Sequence, residues 1–161
     1  GLMEQANCVV KQALWSNPFT KGPVQSAGYI LNAGSEQFIQ DCVHKLQQDH
    51  AASLLIFPEG TRTAKGEQLN DFQRGAANIA LRAGVPIRPV LISCTPSTLT
   101  KNEKWYHIPE QPFHIHVKVL DAIRVEDVLD DVTVNPKNVR QLNQQLQWFF
   151  NQELSLNEQS C

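Results

Sequence analysis

The stretch Ser53-Leu54-Leu55-Ile56-Phe57-Pro58-Glu59-Gly60-Thr61-Arg62 decides the fold of this chain. It opens with an apolar block of the kind that forms a short strand buried on both faces. Pro58 lacks a backbone N–H donor and ends such a strand, while Gly60 permits a turn with positive φ. Ligands in open α/β sheets bind beyond the carboxyl ends of the strands. The polar turn that follows Phe57 is therefore the predicted site.

This turn concentrates side chains that can bind a phosphate. Glu59, Thr61 and Arg62 place three hydrogen-bonding groups close together. The planar guanidinium fork of Arg62 matches two phosphate oxygens at once. Two interpretations stay open on this evidence: Arg62 binds an anion, or Arg62 only pairs with Glu59.

The segment after the turn predicts a helix that begins near Asn70 or Asp71 and ends at Gly84. Asn and Asp are good N-cap residues, and a glycine often ends a helix in the left-handed conformation. Arg74 would then lie in the first helical turn, where the helix dipole attracts anions, so Arg62 and Arg74 could converge on one anion. Small and apolar residues recur at helical spacing and predict a face that packs closely on a sheet: Ala76, Ile79, Ala80 and Ala83.

Strand and helix signals alternate along the rest of the chain. Strands are predicted at 7–11, 28–32, 86–94 and 113–119, and an amphipathic helix at 35–49. A last helix opens at Asn135-Pro136, and its apolar stripe predicts packing across the sheet: Val139, Leu142, Leu146, Phe149 and Phe150. The sequence therefore predicts one α/β domain at 1–154, built on a central, largely parallel sheet flanked by helices, with a tail at 155–161.

Histidines and cysteines offer weaker candidates for chemistry. The alternation in 113–119 places His114, His116 and Lys118 on one face of a strand. Paired histidines can bind a metal, but no third ligand is in view, and solvent exposure is the simpler prediction. The four cysteines are scattered without metal-like spacing, which is typical of a reduced compartment. A cysteine-dependent acyl hydrolase is disfavoured, since no cysteine lies on a sharp glycine-flanked turn beside a base.

Composition excludes several classes of protein. The 161 residues are 42% hydrophobic and 19% charged, with a formal net charge of −2. No basic block dominates, which argues against a nucleic-acid partner. No apolar run approaches the roughly 20 residues of a transmembrane helix. Because the chain opens without a methionine and close to a predicted core strand, we expect it to be a fragment whose upstream part, including any anchor, is missing from this sequence.

Three motifs resemble one enzyme family. Phe57-Pro58-Glu59-Gly60-Thr61-Arg62 resembles the signature of the glycerolipid (lysophosphatidic acid) acyltransferases. Phe72-Gln73-Arg74-Gly75-Ala76 resembles the helix start that follows it in that family, and 85–90 resembles its proline-containing strand. The similarity covers roughly 5–124, with the short bacterial members as the nearest type. In that family an acyl group passes from acyl-CoA or acyl carrier protein to a hydroxyl of a glycerophosphate-type lipid.

The resemblance implies roles for the turn. Glu59 and Arg62 would bind the acceptor at its phosphate, with Thr61 beside them, Gly60 shaping the loop, and Arg74 a weaker candidate. It also implies a lysophospholipid acceptor and an acyl thioester co-substrate, without any cofactor or metal. The expected location is the cytoplasmic face of the inner membrane, where the protein would be bound peripherally or through an anchor that is not present in this sequence.

The family also uses a catalytic histidine in an Asn-His pair, followed by four residues and an aspartate. His44 and Asp49 match the spacing, but the helix predicted there would turn their side chains about 140° apart, so we reject them and expect surface positions. The true pair is expected upstream of Gly1, and the fragment alone should bind poorly and turn over nothing measurable. A non-catalytic phosphate- or lipid-binding relative without the pair is the alternative.

Overall fold

The structure, a computed structural model, describes residues 6–32, 34–49, 51–64, 69–98, 100–101, 103–104 and 109–158. Its strands are β1 (Ala6–Lys11), β2 (Ile30–Asn32), β3 (Ser53–Leu55), β4 (Val90–Thr95) and β5 (His114–Val119). Its helices are α1 (Gln12–Ser16), α2 (Lys21–Ser26), α3 (Glu36–Gln48), α4 (Gly75–Ala83) and α5 (Pro136–Glu158), with a 3-10 turn at Val125–Asp127.

A parallel three-stranded sheet carries the predicted site. β1 lies in the centre and pairs in parallel with β2 on one side and β3 on the other. β4 and β5 form a separate antiparallel pair. The predicted α/β class, with a parallel sheet and flanking helices, is confirmed. Because β1, β2 and β3 run the same way, their carboxyl ends share one edge, and the Glu59–Arg62 turn follows β3 there.

Helix α4 lies between two hydrophobic clusters. One cluster joins α4 to α3, and Ile79 from α4 packs there with Phe38 and Cys42. The other joins α4 to α5, whose stripe residues Leu142 and Leu146 are buried. The predicted apolar stripe of the last helix is therefore confirmed as a buried face. Its predicted partner was wrong, because α5 packs on α4 and on the 3-10 turn that begins at Val125, rather than across the parallel sheet.

Helix boundaries agree with the sequence where a local cap decides them. Ser35 caps α3, since its Oγ accepts a hydrogen bond from the Phe38 N–H at 3.2 Å. Gly84 ends α4 with φ 65°, as predicted. The predicted start of α4 was wrong: the helix begins at Gly75, and Arg74 occupies the N-cap position. Asn70 cannot cap the helix because its groups bond elsewhere in the fold.

The strands predicted within 53–57 and 86–94 are shorter than expected, and exposed side chains lie in both segments. β3 stops at Leu55, and Phe57 has 56% of its surface exposed. β4 begins only at Val90, and the earlier residue Ile87 forms an isolated bridge with Ile123. Within β4, Ile92 is 55% exposed. Within the described ranges β3 pairs with β1 alone, which leaves its other edge without a neighbouring strand.

The β4–β5 pair has a polar and an apolar face. The predicted alternation is confirmed, and Lys118 on the polar face reaches Glu153 of α5, with Nζ and Oε2 3.1 Å apart. Its strand neighbours His114 and His116 are exposed, as predicted. The opposite face is apolar throughout, and four of its side chains are more than half exposed: Ile92, Ile115, Val117 and Val119. We call these four residues, with Val90 and Cys94, the apolar hairpin face.

The C-terminal helix is longer than the sequence suggested. It passes the boundary placed at 154/155 and continues to Glu158, while 159–161, including Cys161, lie outside the described residues. Among the helices that the structure describes, none combines the length and apolarity needed to cross a bilayer.

Candidate functional site

The turn after β3 is tight and depends on Gly60. The Gly60 N–H donates to the Phe57 carbonyl at 3.1 Å, and Gly60 has φ 64°. A Cβ at this position would lie 3.4 Å from the Cγ of Gln73, because the Gln73 N–H donates to the Pro58 carbonyl at 2.8 Å. The backbone angle therefore favours glycine, while a Cβ would meet the Gln73 side chain at contact distance.

Glu59 is held by three donors. Its Oε2 accepts from the Thr63 hydroxyl at 2.9 Å, from the Asn70 backbone N–H at 2.8 Å and from the Asn70 side-chain amide at 2.8 Å. The side chain is partly buried, and its second oxygen, Oε1, accepts no hydrogen bond from the described residues. The carboxylate is thus oriented through one of its two oxygens.

Arg62 reaches across to the loop that follows β4. Both of its terminal nitrogens lie 3.3 Å from the carbonyl oxygen of Glu103. The same loop is tied to the turn by the Lys101 N–H, which donates to the Thr63 carbonyl at 2.9 Å. The Glu103 carboxylate accepts from the Thr100 N–H at 2.7 Å, which closes the loop on itself. The contacts described for Glu59 and Arg62 therefore run to different partners, and Arg62 stays exposed to solvent.

Arg74 and Thr61 are both solvent-exposed. Arg74 borders a shallow cleft together with Asn78 and Arg82 of α4 and residues 134–136. Arg62 instead lies against Glu103, and no described contact joins the two guanidinium groups. The structure thus places them against different neighbours, and the convergence of Arg62 and Arg74 on one anion stays a prediction.

The rejected pair lies on the surface of α3. His44 is exposed on the outer side of the helix, in a groove that Arg82 of α4 also lines. Asp49 ends the helix, and its Oδ1 accepts from the Ala51 N–H at 2.9 Å. No described hydrogen bond joins the two side chains, which agrees with their rejection as a catalytic pair.

The described residues offer no candidate metal cluster, and Cys42 is a fully buried thiol. Among the described residues, no group of three or more His, Cys, Asp or Glu side chains is placed to hold a metal. Burial, with a smaller contribution from the charge of Asp41, raises the pKa of Cys42 to about 11. A thiol with that pKa stays protonated near neutral pH, so Cys42 is unsuited to nucleophilic chemistry.

The part of the chain that contains this turn matches a known protein family. Residues 4–93, more than half of the chain, match the family model named Acyltransferase. The chain belongs to the Acyltransferase family. The matched residues contain β1, β2, β3 and α4, and with them Glu59, Arg62 and Arg74; β5 and α5 lie outside them.

Several curated acyltransferases are similar over part of this chain. The 1-acyl-sn-glycerol-3-phosphate acyltransferase alpha of Mus musculus is 36% identical over 86 residues, which is 53% of this chain and 29% of the mouse protein. The 1-acyl-sn-glycerol-3-phosphate acyltransferase of Escherichia coli is 46% identical over 50 residues, which is 31% of this chain and 20% of that protein. The matches thus span less than a third of the length of these relatives.

One solved acyltransferase structure shares the fold. The crystal structure of the 1-acyl-sn-glycerophosphate (LPA) acyltransferase PlsC from Thermotoga maritima superposes with a TM-score of 0.70 at 18% sequence identity. The superposition covers 95% of this chain and 57% of the PlsC chain. The likeness therefore extends beyond 4–93 and includes most of the C-terminal part of this acyltransferase-family chain.

Sequence reasoning missed the residues that orient Glu59. Asn70 was predicted as a helix cap, and Thr63 was not among the candidate residues. The prediction for Asn70 is reasonable locally, because asparagine caps helices and stabilises turns. No local signal in the sequence points to these bonds, since Asn70 supplies two of the three donors across eleven residues of chain.

Proposed function

We propose that this chain takes part in acyl transfer from an acyl thioester, acyl-CoA or acyl carrier protein, to the hydroxyl of a lysophospholipid such as 1-acylglycerol-3-phosphate. The observation that carries the proposal is the oriented carboxylate of Glu59, followed three residues later by the exposed guanidinium of Arg62, in a turn of the Acyltransferase family. The names of the mouse and Escherichia coli relatives support this substrate class.

The two side chains suit different parts of such an acceptor. An ionised carboxylate only accepts hydrogen bonds, so Glu59 fits a hydroxyl of the glycerol rather than the phosphate itself. Arg62 donates from a planar fork that matches two phosphate oxygens. Its present bonds to the Glu103 carbonyl are long, at 3.3 Å, and a charged phosphate is a stronger acceptor than that carbonyl. Arg62 would therefore exchange one partner for the other when the acceptor binds.

The reaction needs a base that this turn does not supply. The acceptor oxygen forms a bond to the thioester carbonyl carbon, the C–S bond breaks, and the hydroxyl proton passes through the base to the leaving thiolate. The histidine and aspartate for this step would come from a segment upstream of Gly1. The described residues would then contribute the acceptor-binding side of the site.

We propose a membrane surface, at the cytoplasmic face of the inner membrane, as the place where the acceptor is met. Lysophospholipids reside in bilayers, so a site for them must approach one. Two exposed aromatic side chains support this: Phe57, 56% exposed at the start of the turn, and Phe19, 88% exposed in the connection between α1 and α2. Aromatic rings are well suited to the headgroup level of a membrane.

Binding of a soluble acceptor tests the proposal. We would titrate the purified chain with 1-hexanoyl-glycerol-3-phosphate by calorimetry, and in parallel with the corresponding phosphate-free monoacylglycerol. Arg62→Lys keeps the charge but loses the fork, so its dissociation constant should rise about 5- to 10-fold. Arg140→Lys, an exposed arginine on α5, is the matched control and should bind like the wild type. Equal affinity for the phosphate-free lipid would contradict a phosphate site.

The same titration separates the two candidate roles when it is joined to an activity assay. The enzyme hypothesis predicts acyl transfer by a chain in which a segment with the histidine and aspartate precedes Gly1, and there Arg62→Lys should act mainly on the acceptor KM. A non-catalytic lipid-binding relative would bind the acceptor equally well with and without a segment before Gly1, and neither protein would transfer an acyl group.

A further inference from the structure

Helix α5 touches the segment that orients Glu59 through one glutamine. The Gln147 Oε1 accepts a hydrogen bond from the Phe72 N–H at 3.0 Å. Its Nε2 lies 3.4 Å from the Asn70 carbonyl oxygen and 3.4 Å from the Asp71 Oδ1. A single side chain thus contacts three consecutive residues, 70–72.

A second residue of α5 holds the same segment. The Asn143 side-chain amide donates to the Phe72 carbonyl at 3.0 Å. Asn143 and Gln147 are four residues apart, so they lie on the same face of the helix. Apolar contacts add to these bonds, because Phe72 is buried and its ring meets that of Phe150 edge to face, with centroids 5.2 Å apart. Phe72 is therefore bonded at both of its backbone groups and packed at its side chain.

The other end of this segment is bonded to Glu59. Asn70 accepts from Gln147 at its carbonyl oxygen and donates to Glu59 Oε2 from its N–H and its side-chain amide, each at 2.8 Å. Residues 69–73 belong to neither a helix nor a strand. No regular ladder of backbone bonds holds them, so Asn70 is positioned by the bonds to α5 and to Glu59, together with the bond from the Gln73 N–H to the Pro58 carbonyl.

We infer that Gln147 and Asn143 are positioning residues for the acceptor site, acting on Glu59 through Asn70. This inference rests on the proposed function in one respect, that Glu59 contacts the acceptor. Both residues lie in α5, outside the residues 4–93 that match the family model. The C-terminal helix therefore serves the site from a part of the chain that carries none of its signature motifs.

Amide hydrogen exchange tests the coupling without a ligand. The probes are the N–H of Phe72, which donates to Gln147, and the N–H of Asn70, which donates to Glu59 while the Asn70 carbonyl accepts from Gln147. In Gln147→Ala we expect exchange at both amides to speed up by about 10-fold or more relative to the wild type. The matched control is Gln145→Ala, an exposed glutamine on the same helix, which should change neither amide. Faster exchange at Phe72 alone would overturn the inference, since the effect would stop short of Glu59.

A charge variant separates positioning from general loosening. Gln147→Glu keeps an acceptor for the Phe72 N–H, loses the donor to the Asn70 carbonyl, and places a carboxylate beside Asp71. We expect Phe72 to stay protected while Asn70 exchanges faster. Equal behaviour of Asn70 in Gln147→Glu and the wild type would contradict the path through its carbonyl. Because this variant retains the direct bond, it also serves if Gln147→Ala fails to fold.

Titration with 1-hexanoyl-glycerol-3-phosphate then connects the coupling to the site. We expect the dissociation constant to rise about 3- to 10-fold in Gln147→Ala and Gln147→Glu, and to stay unchanged in Gln145→Ala. A changed exchange rate at Asn70 with an unchanged dissociation constant would overturn the positioning role. Absence of binding by the wild type would contradict the proposed function instead, and the exchange result would still decide whether α5 positions Glu59.

Discussion

Asn70 donates two hydrogen bonds to the same oxygen of Glu59, one from its backbone N–H and one from its side-chain amide, both 2.8 Å long. The two bonds close a small ring between the turn after β3 and the segment before α4. A carboxylate held in this way presents its second oxygen in one direction, which is the property that a binding site for a hydroxyl requires.

Asn70→Asp reverses the polarity of one of these bonds. The new carboxylate would face that of Glu59 and repel it, while the backbone N–H bond remains. We expect the free energy of unfolding to fall by about 1–3 kcal/mol and the affinity for 1-hexanoyl-glycerol-3-phosphate to fall with it. Chemical denaturation and calorimetry measure the two effects. Asn70→Ala, which removes the donor without adding charge, should be milder, and the opposite order would contradict electrostatic repulsion as the cause.

Gly60→Ala tests the shape of the turn. An alanine there would have to adopt φ 64° and bring its Cβ within 3.4 Å of the Gln73 side chain. We expect a loss of about 1–2 kcal/mol in the free energy of unfolding. Gly22→Ala is the control, because that glycine lies in α2 and a Cβ added there would meet nothing within 4 Å. A loss at Gly60 no larger than at Gly22 would show that the turn does not need glycine.

The buried thiol of Cys42 predicts a dependence of stability on alkaline pH. Burial raises its pKa from 9.0 to about 11 in the folded protein. The unfolded chain therefore loses this proton first, so the stabilising contribution is complete below pH 9 and disappears as the pH rises toward 11. We expect a decrease of about 1–3 kcal/mol in the free energy of unfolding across this window. Denaturant titrations at several pH values should show a smaller decrease in the free energy of unfolding for Cys42→Ala than for the wild type. An equal decrease between pH 9 and 11 in both proteins would contradict the role of Cys42.

Phe19→Ser tests the proposed approach to a membrane. The ring is 88% exposed, so its removal costs little folding stability and deletes a side chain suited to the lipid headgroup level. We expect co-sedimentation with vesicles of phosphatidylethanolamine and phosphatidylglycerol to fall several-fold. Trp148→Ser is the matched control, since that ring is 60% exposed on α5. Equal loss in both variants would indicate nonspecific apolar adsorption rather than a membrane-facing surface.

The sequence predicted those elements whose signals are local. The helix over 35–49 was correct to within a residue at each end, because its apolar period and the Ser35 cap lie within the helix itself. The alternation in 113–119 likewise identified which side chains share a face of β5. The resemblance of the Glu59–Arg62 turn led to the family, since that motif is compact and lies on one stretch of chain.

The errors fall where distant partners decide the outcome. Asn70 has the residue type of a helix cap, yet it bonds to Glu59, and the helix begins five residues later. The apolar run at 53–57 predicts burial, but burial depends on neighbouring strands that a sequence pattern does not reveal. Gln147 is one of several glutamines on the polar side of α5, and nothing in the sequence separates it from the exposed Gln145.

The apolar hairpin face predicts that this chain self-associates in solution. Four side chains that are each more than half exposed lie side by side on two paired strands. Burying this apolar surface against the same surface of a second copy would lower the free energy. We expect the apparent molecular mass from light scattering to increase with protein concentration. Mild non-ionic detergent should suppress this increase. Kinetic and calorimetric work on this chain is therefore best carried out dilute, over a concentration series, with the monomer fraction recorded at each point.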